Sequence, residues 1–203
     1  METTLLDRSQ LSDAVGVLSR AFANDPMANH MMEVSKISLE ESLNELFLFS
    51  CEVRLLLDWP LLGVFVEGEK LAGVAGITLP GEVKWPPSLQ EIYANLSTRI
   101  GQEAVLRLET YSRLADTNRP SEPHYQLGMI GVDPEYQGQG CGGQLLNAVN
   151  EMSESHPESM GVWLDTENPR NVPYYQRFGY EIKEHSMLDE IDVWGMFRPN
   201  QKG

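Results

Sequence analysis

A cluster of four glycines within six positions, set between an apolar strand pattern and a helical pattern, constrains the fold of this chain most strongly. The cluster is Gln137-Gly138-Gln139-Gly140-Cys141-Gly142-Gly143. At a turn from strand to helix, backbone N–H groups converge and the helix dipole favours negative charge, so the cluster predicts a phosphate-binding loop. Glycine suits such a loop because a side chain would hold the phosphate away and because the backbone often needs positive φ. A purely structural turn is the alternative.

Three kinds of phosphate-binding loop compete for this pattern. A Walker A loop is excluded because no Lys-Ser or Lys-Thr pair follows the last glycine. The dinucleotide pattern G-x-G-x-x-G is met by Gly138, Gly140 and Gly143, and Asp165 stands where a ribose-binding acid is expected. Two features oppose it: residues 133–137 separate the strand from the first glycine, and too little chain follows Asp165 for further βαβ units.

The third kind of loop extends beyond the glycines on both sides. Residues 132–146 resemble the acyl-CoA signature of the GNAT superfamily of N-acetyltransferases, whose core is Gln or Arg, two residues, Gly, one residue, and Gly or Ala. This core is matched by Gln137, Gly140 and Gly142. Residues 171–180 resemble the same superfamily's segment in which Asn precedes a Tyr-x-x-x-Gly-aromatic motif. The resemblance covers roughly Tyr125 to Ile182, and it is closest to the puromycin N-acetyltransferase-like branch.

The resemblance and the alternation of periodic segments together predict one mixed α/β (α+β) domain over residues 1–203. The expected sheet is central and largely antiparallel, with one splayed parallel strand pair and flanking helices. The predicted helices run from Ser9 or Ser12 to Phe22, where Asn24-Asp25-Pro26 ends the first one, from Leu39 to Cys51, from Ser88 to Asp116 with a break near Gly101, and from Gly142 to Ser155. The predicted strands are Leu61–Glu67 and Lys70–Leu79 with a turn at Gly68, His124–Val132, Gly161–Asp165, Tyr180–Leu188 and Asp192–Arg198.

The resemblance implies acetyl-CoA as the acyl donor and assigns its contacts. Backbone groups near Ile130 to Val132 are expected to hold pantetheine and to polarise the acetyl carbonyl. The residues expected around the pyrophosphate are Gln137, Gly138, Gln139, Gly140, Cys141, Gly142 and Gly143. Asn171 is expected to cap the short helix that follows it and to lie near the cofactor. Cys141 is rejected as a nucleophile because its position needs only a small residue beside the pyrophosphate.

The resemblance also suggests the groups that move protons. Tyr175 stands four residues before Gly179, where the family commonly has a tyrosine near the CoA sulfur, so it is the expected general acid. Adjacent residues on a helix point about 100° apart, so Tyr174 cannot face the same atom. Asp165 is the expected general base, with Glu167, Asp25 and His124 as alternatives acting through water. The strand 124–130 lacks the glutamate that other members place there.

The predicted reaction is direct transfer of an acetyl group to a primary amine in a ternary complex, without a covalent acyl-enzyme. A catalytically silent acyl-CoA-binding module is the alternative from a different class. Thirty acidic residues against fifteen basic ones give a net charge of -15, which repels nucleic acid and anionic membranes and attracts a small cationic amine.

The remaining sequence features indicate a cytoplasmic protein without a metal. The two cysteines lie far apart, and His156 and His185 have no partner at metal-ligand spacing. The N-terminus does not resemble an export signal, and charges interrupt the longest apolar stretch, Leu61 to Leu79, so we expect no membrane span. The expected oligomeric state is a monomer or a homodimer.

Overall fold

The computed structural model describes residues 1–66, 69–81, 83 and 86–201, and it contains a seven-stranded sheet flanked by helices. The strands are β1 (Glu2–Leu5), β2 (Leu61–Val66), β3 (Lys70–Thr78), β4 (Tyr125–Val132), β5 (Gly161–Thr166), β6 (Glu181–Leu188) and β7 (Ile191–Pro199). The helices are α1 (Leu11–Ala21), α2 (Pro26–Met32), α3 (Leu39–Leu56), α4 (Pro87–Ile100), α5 (Gln102–Asn118), α6 (Cys141–Ser155) and α7 (Val172–Gln176).

The sheet has the strand order β1-β2-β3-β4-β5-β7-β6. Five of its six neighbouring pairs are antiparallel, and β4 and β5 form the parallel pair. The predicted fold class is therefore confirmed. The dinucleotide-binding alternative is wrong, because that fold needs a mostly parallel, doubly wound sheet.

Two apolar layers pack on opposite faces of the sheet. On one face, α1 and α3 bury Leu18, Leu43 and Phe47. On the other face, α6 buries Leu145 and Leu146, the helical stripe that the sequence predicted. Helices thus pack on both faces of the sheet.

The N-terminal third departs from the predicted elements in three places. Strand β1 and helix α2 were not predicted, and α3 continues from Cys51 to Leu56. Asp25 follows the end of α1 and also begins a helix, because its Oδ1 accepts a hydrogen bond from the Ala28 N–H at 2.9 Å and Pro26 occupies the first helical position. The same residues that stop α1 therefore start α2.

Elsewhere the predicted elements agree with the structure within a few residues. Gly101, at φ 94°, separates α4 from α5, as expected for a break at that position. The predicted turn at Gly68 and the strand end at Glu67 lie outside the described residues. Among the described residues, no helix is long and apolar enough to cross a membrane.

Candidate active site

The site begins where β4 parts from β5. The two strands pair only from Tyr125 to Leu127, opposite residues 162–164. Beyond that point β4 continues to Val132, hydrogen-bonded to β3 alone within the described sheet. The register of β4 with β3 also shifts there, which leaves Gly128 as an extra, bulged residue. One edge of β4 is thereby turned towards a cleft instead of a strand, as the predicted splay requires.

The glycine loop forms the wall of this cleft opposite α1, and its glycines serve two purposes. Gly138 and Gly140 have φ of 77° and 90°, a conformation that residues with side chains rarely adopt. At Gly142 and Gly143 the backbone lies against aromatic groups: a Cβ would stand 2.8 Å from the Tyr174 hydroxyl at the first and 3.1 Å from the ring of Phe178 at the second. The backbone conformation therefore favours glycine at the first two positions, and close packing against aromatic side chains favours it at the other two.

The cleft has a volume of about 1060 Å³, and it gathers nearly all of the residues predicted to contact the cofactor. Those that line it are Ile130, Val132, Gln137, Gly138, Gly140, Cys141, Gly142, Gly143, Asn171 and Tyr175. Gln139 does not line it; its side-chain amide donates to the Glu135 carbonyl at 3.2 Å. The Gln137 amide donates to the Val132 carbonyl at 3.1 Å and so ties the loop to β4.

Basic side chains outnumber acidic ones in the lining of the cleft, although the protein as a whole is acidic. Arg20, Arg170 and Arg177 line it, and Asp25 is the one carboxylate among its described lining residues. Arg20 is fixed by Asp133, whose Oδ2 accepts from the arginine Nε at 2.8 Å and from Nη2 at 2.6 Å. Sequence reasoning missed these arginines because Arg20 lies in an ordinary helix pattern, Arg170 precedes the second motif, and Arg177 occupies one of that motif's variable positions.

A second cavity, of about 220 Å³, opens from the cleft towards α2, α3 and α5. The two spaces share five lining residues: Phe22, Asp25, Ile130, Asn171 and Tyr175. The wall of the second cavity comes from segments that are far apart in the sequence and mostly outside the two motifs.

Carboxylates cluster at the second cavity. Asp165 lies near the end of β5 and Glu167 just beyond it, and burial raises the pKa of Asp165 to about 6 and that of Glu167 to about 7. Burial likewise raises the pKa of Asp25. The Asp165 carboxylate accepts from the indole N–H of Trp163 at 3.1 Å, and Glu167 Oε1 accepts from the Tyr111 hydroxyl at 2.5 Å. Carboxylates with raised pKa values suit proton transfer near neutral pH.

Tyr175 stands at the junction of both spaces, whereas Tyr174 lines the cleft alone. The Tyr175 side chain is buried, and its hydroxyl forms no hydrogen bond with another described residue. Burial, followed by the negative charge of Glu167, raises its pKa well above the ordinary value, so the phenol keeps its proton. The Tyr174 ring instead packs against Phe178 with a centroid distance of 5.2 Å, and the Arg177 guanidinium stacks over it. The two adjacent tyrosines thus line different spaces, although their rings contact each other edge to face with centroids 5.8 Å apart.

Asn171 occupies the position before α7, but its predicted capping role is wrong. Its side chain makes no capping hydrogen bond to α7. Its Nδ2 instead lies 3.4 Å from Thr166 Oγ1, to which it donates across the junction. The side chain therefore links the end of β5 to α7 and faces both spaces.

Three carboxylates near one cavity raise the question of a metal. Among residues 1–66, 69–81, 83 and 86–201, no three His, Cys, Asp or Glu side chains are grouped closely enough to hold an ion. His124, one of the alternative bases, has its Nδ1 within 2.7 Å of the Glu122 carbonyl and lines neither space. The structure therefore brings together Asp25, Asp165 and Glu167 and leaves His124 apart.

Part of this chain is similar in sequence to known acetyltransferases. Residues 101–182 match the family described as "Acetyltransferase (GNAT) domain". The mycothiol acetyltransferase of Propionibacterium freudenreichii is 30% identical over 73 residues, which are 36% of this chain and 23% of that protein. The N-alpha-acetyltransferase RimI of Mycobacterium tuberculosis is 24% identical over 119 residues, 57% of this chain and 73% of that protein. The chain thus spans about a quarter of the length of the first relative.

Solved structures share the fold over the whole chain. A Corynebacterium glutamicum protein described as histone acetyltransferase HPA2 and related acetyltransferase superposes with a TM-score of 0.70 at 19% identity, covering 99% of this chain and 97% of that one. The polyamine N-acetyltransferase of Drosophila melanogaster superposes with a TM-score of 0.64 at 16% identity, covering 97% of both chains. The puromycin N-acetyltransferase-like branch stays a prediction. The superfamily predicted from the two motifs is confirmed over the segment that carries them, because residues 101–182 match the GNAT acetyltransferase family.

Proposed function

We propose that this protein is an N-acetyltransferase that moves an acetyl group from acetyl-CoA to a small primary amine. The observation that carries the proposal is the junction at Tyr175, where a cleft with a glycine loop and mostly basic charged side chains meets a smaller cavity lined by carboxylates. The cleft suits a donor that carries phosphates, and the cavity suits an acceptor that arrives as an ammonium ion. A two-substrate transfer needs both spaces to meet at one point.

The donor half of the proposal follows from the residues that line the cleft. N–H groups of Gln137 to Gly143 would surround the pyrophosphate at the start of α6, with Arg170 and Arg177 supplying positive charge. Residues Ile130 to Val132 are not paired with β5, so their backbone N–H and C=O groups on that edge are available. They would hydrogen-bond pantetheine in the way that a sheet edge binds an additional strand. This arrangement would direct the thioester towards Tyr175.

The chemistry requires one proton acceptor and one proton donor. A carboxylate removes a proton from the ammonium group, and the free amine nitrogen attacks the thioester carbonyl carbon. The C–S bond of the tetrahedral intermediate then breaks, and the leaving thiolate takes the proton of the Tyr175 hydroxyl. The carboxylate releases the proton taken from the ammonium group to solvent, and the remaining extra proton on nitrogen then passes through it to the Tyr175 phenolate, which restores the phenol. The products are the amide and CoA with a free thiol.

Three carboxylates of the acceptor cavity are candidates for the base: Asp25, Asp165 and Glu167. Asp165 is the residue predicted from the sequence, but its charge does not act on Tyr175. The charges of Glu167 and Asp25 both raise the pKa of Tyr175, and that of Glu167 does so more strongly. We therefore assign proton removal to Glu167 and binding of the ammonium group to Asp165.

The acceptor is a small molecule with a primary amine that is cationic before it reacts. A cavity of about 220 Å³ holds roughly seven water molecules at ~30 Å³ each, which is the scale of a single amino acid. The named relatives act on different amines, so none of their acceptors transfers to this chain.

The test is an acetylation assay with a panel of small primary amines, in which release of the CoA thiol is measured. We expect release that depends on at least one amine and that is lost in Tyr175→Phe. The matched control, Tyr174→Phe, removes a hydroxyl from the cleft only and should retain turnover. Binding of acetyl-CoA without turnover of any amine would favour the silent acyl-CoA-binding module instead.

A further inference from the structure

The acceptor cavity contains a charged group that the proposed reaction does not use. Arg54, near the end of α3, lines the cavity and is only 9% exposed. Its Nη1 donates to the carbonyl of Ser50, one turn earlier in the same helix, at 2.9 Å. Its Nε is buried and has no hydrogen-bond partner among the described residues. The guanidinium therefore enters the cavity with most of its donors unused.

No carboxylate of the described chain neutralises Arg54. None of the ion pairs found among the described residues includes it, although acidic residues outnumber basic ones two to one. Burial lowers its pKa to about 10, which still leaves it charged at neutral pH, and burial raises the pKa of the neighbouring Cys51 thiol to about 12, so this thiol is neutral there. A buried charge without a partner is strongly unfavourable, so its position calls for an anion from outside the chain.

The sheet is shaped around this guanidinium. A Cβ at Gly128 would stand 2.5 Å from Arg54 Nη2, and a Cβ at Gly76 would stand 2.6 Å from Arg54 Nε. Both glycines lie within strands, where glycine is disfavoured unless another group approaches closely. Gly128 is the bulged residue of β4, and it lines the acceptor cavity beneath the side chain. The guanidinium thus packs directly on the backbone of Gly76 and Gly128, in space that a side chain at either position would occupy.

We infer that Arg54 binds a carboxylate of the acceptor, so that the acceptor is an amino acid or a related molecule with an amine at one end and a carboxylate at the other. A planar guanidinium and a carboxylate form paired hydrogen bonds that fix orientation. The amine end lies at the junction beside Ile130, and the carboxylate end lies above Gly128. These residues are two positions apart on β4, about 7 Å along the strand. The inference rests on the proposed function and specifies its substrate.

The experiment compares acids with the amines that lack only their carboxylate. Suitable pairs are β-alanine with ethylamine, γ-aminobutyrate with propylamine, 5-aminovalerate with butylamine, and phenylalanine with 2-phenylethylamine. For each compound, kcat/KM for acetylation and the unfolding midpoint in the presence of CoA are measured. We expect at least one acid to exceed its amine by about 10- to 100-fold, the value of hydrogen bonds between charged groups.

The preference for the acid should disappear in Arg54→Gln through a rise in KM for the acid, while the amine is unaffected. Arg113→Gln is the matched control, because Arg113 is exposed and donates only to Thr110 within its own helix. A second route is Gly128→Ala, whose methyl group would displace the guanidinium without removing it; it should reduce the preference in the same way.

The inference is overturned if no pair shows a preference for the acid, or if the preference persists in Arg54→Gln and in Gly128→Ala. Its failure is distinguishable from failure of the proposed function. If acetyl-CoA stabilises the protein and amines without a carboxylate are acetylated equally well, the acetyltransferase stands and Arg54 has no such role. If acetyl-CoA has no effect, the proposed function itself fails.

Discussion

The cleft proposed to bind the acyl donor and the cavity proposed to bind the acceptor share five lining residues, yet the two are built in different ways. The cleft is formed chiefly by two continuous segments, residues 130–143 and 168–178, and much of what it offers is backbone. The cavity is lined mainly by side chains from α2, α3, α5, β4 and β5. Its lining residues are spread over positions 22–175 of the sequence. A site formed by the backbone of consecutive residues needs glycines at fixed spacing, which can be recognised in the sequence as a motif. A site formed by side chains from distant segments has no such motif.

The two spaces also differ in charge. Three arginines and Asp25 line the cleft, whereas the cavity is lined by three carboxylates with raised pKa values, Asp25 among them, and by Arg54 at a distance from the junction. Opposite signs at the two sides of one junction suit a phosphorylated donor and an ammonium acceptor. Substitutions on the two sides should therefore affect different kinetic constants.

The largest expected effect tests the junction itself. Tyr175→Phe should lower kcat by about 100-fold or more, because it removes the proton that the leaving thiolate takes. The dissociation constant for acetyl-CoA should change by less than about two-fold. Steady-state kinetics with donor binding measured by calorimetry provides both values, and Tyr174→Phe is the control. Equal losses in the two variants would refute the division between the tyrosines.

The next effect concerns the base on the acceptor side. A carboxylate accepts a proton only when ionised, so the acetylation rate should rise with pH through an inflection near 7, the pKa of Glu167. Glu167→Gln should lower the rate at pH 8 by about 10- to 100-fold and remove this inflection. Asp165→Asn should raise KM for the amine and leave the inflection in place. An inflection that disappears with Asp165→Asn instead would make Asp165 the base.

A smaller effect is expected on the donor side. Arg170→Gln should weaken acetyl-CoA binding by about 3- to 10-fold at low salt and by less at high salt, because an exposed charge near phosphates is screened. Isothermal titration calorimetry at two salt concentrations measures this, with Arg113→Gln as the control for loss of one positive charge. KM for the amine should stay the same. Weaker amine binding in Arg170→Gln would break the separation of the two sides.

The smallest effect should come from Tyr111, which donates a hydrogen bond to Glu167. Tyr111→Phe removes a donor that stabilises the ionised carboxylate, so the pKa of Glu167 should rise. The inflection in the rate profile should move to higher pH by about one unit or less. Rates measured between pH 5.5 and 9, about the full range of this titration, follow the shift. A shift to lower pH would contradict the assigned role of the hydroxyl.

The sequence predicted the parts of this molecule that lie within one continuous segment. Residues 125–166 contain both strands of the splayed pair, the glycine loop and α6, and the structure has these elements within a few positions of the expected bounds. Helix α2 was missed because Asp25-Pro26 is both a stop for one helix and a start for the next. Tyr111 and Arg54 were missed because each lies in an ordinary helix pattern and acquires its role only where distant elements meet.

Thermal unfolding with acetyl-CoA, compared with NADH and NADPH, tests the central claim most directly. A ligand at about 100 times its dissociation constant adds roughly 2.7 kcal/mol to the free energy of unfolding. For a chain of this size that corresponds to a rise in Tm of about 5–10 °C. We expect this rise with acetyl-CoA and none with either dinucleotide. A rise with a dinucleotide alone, or no rise with acetyl-CoA, would contradict the assignment of the glycine-loop cleft to an acyl-CoA donor.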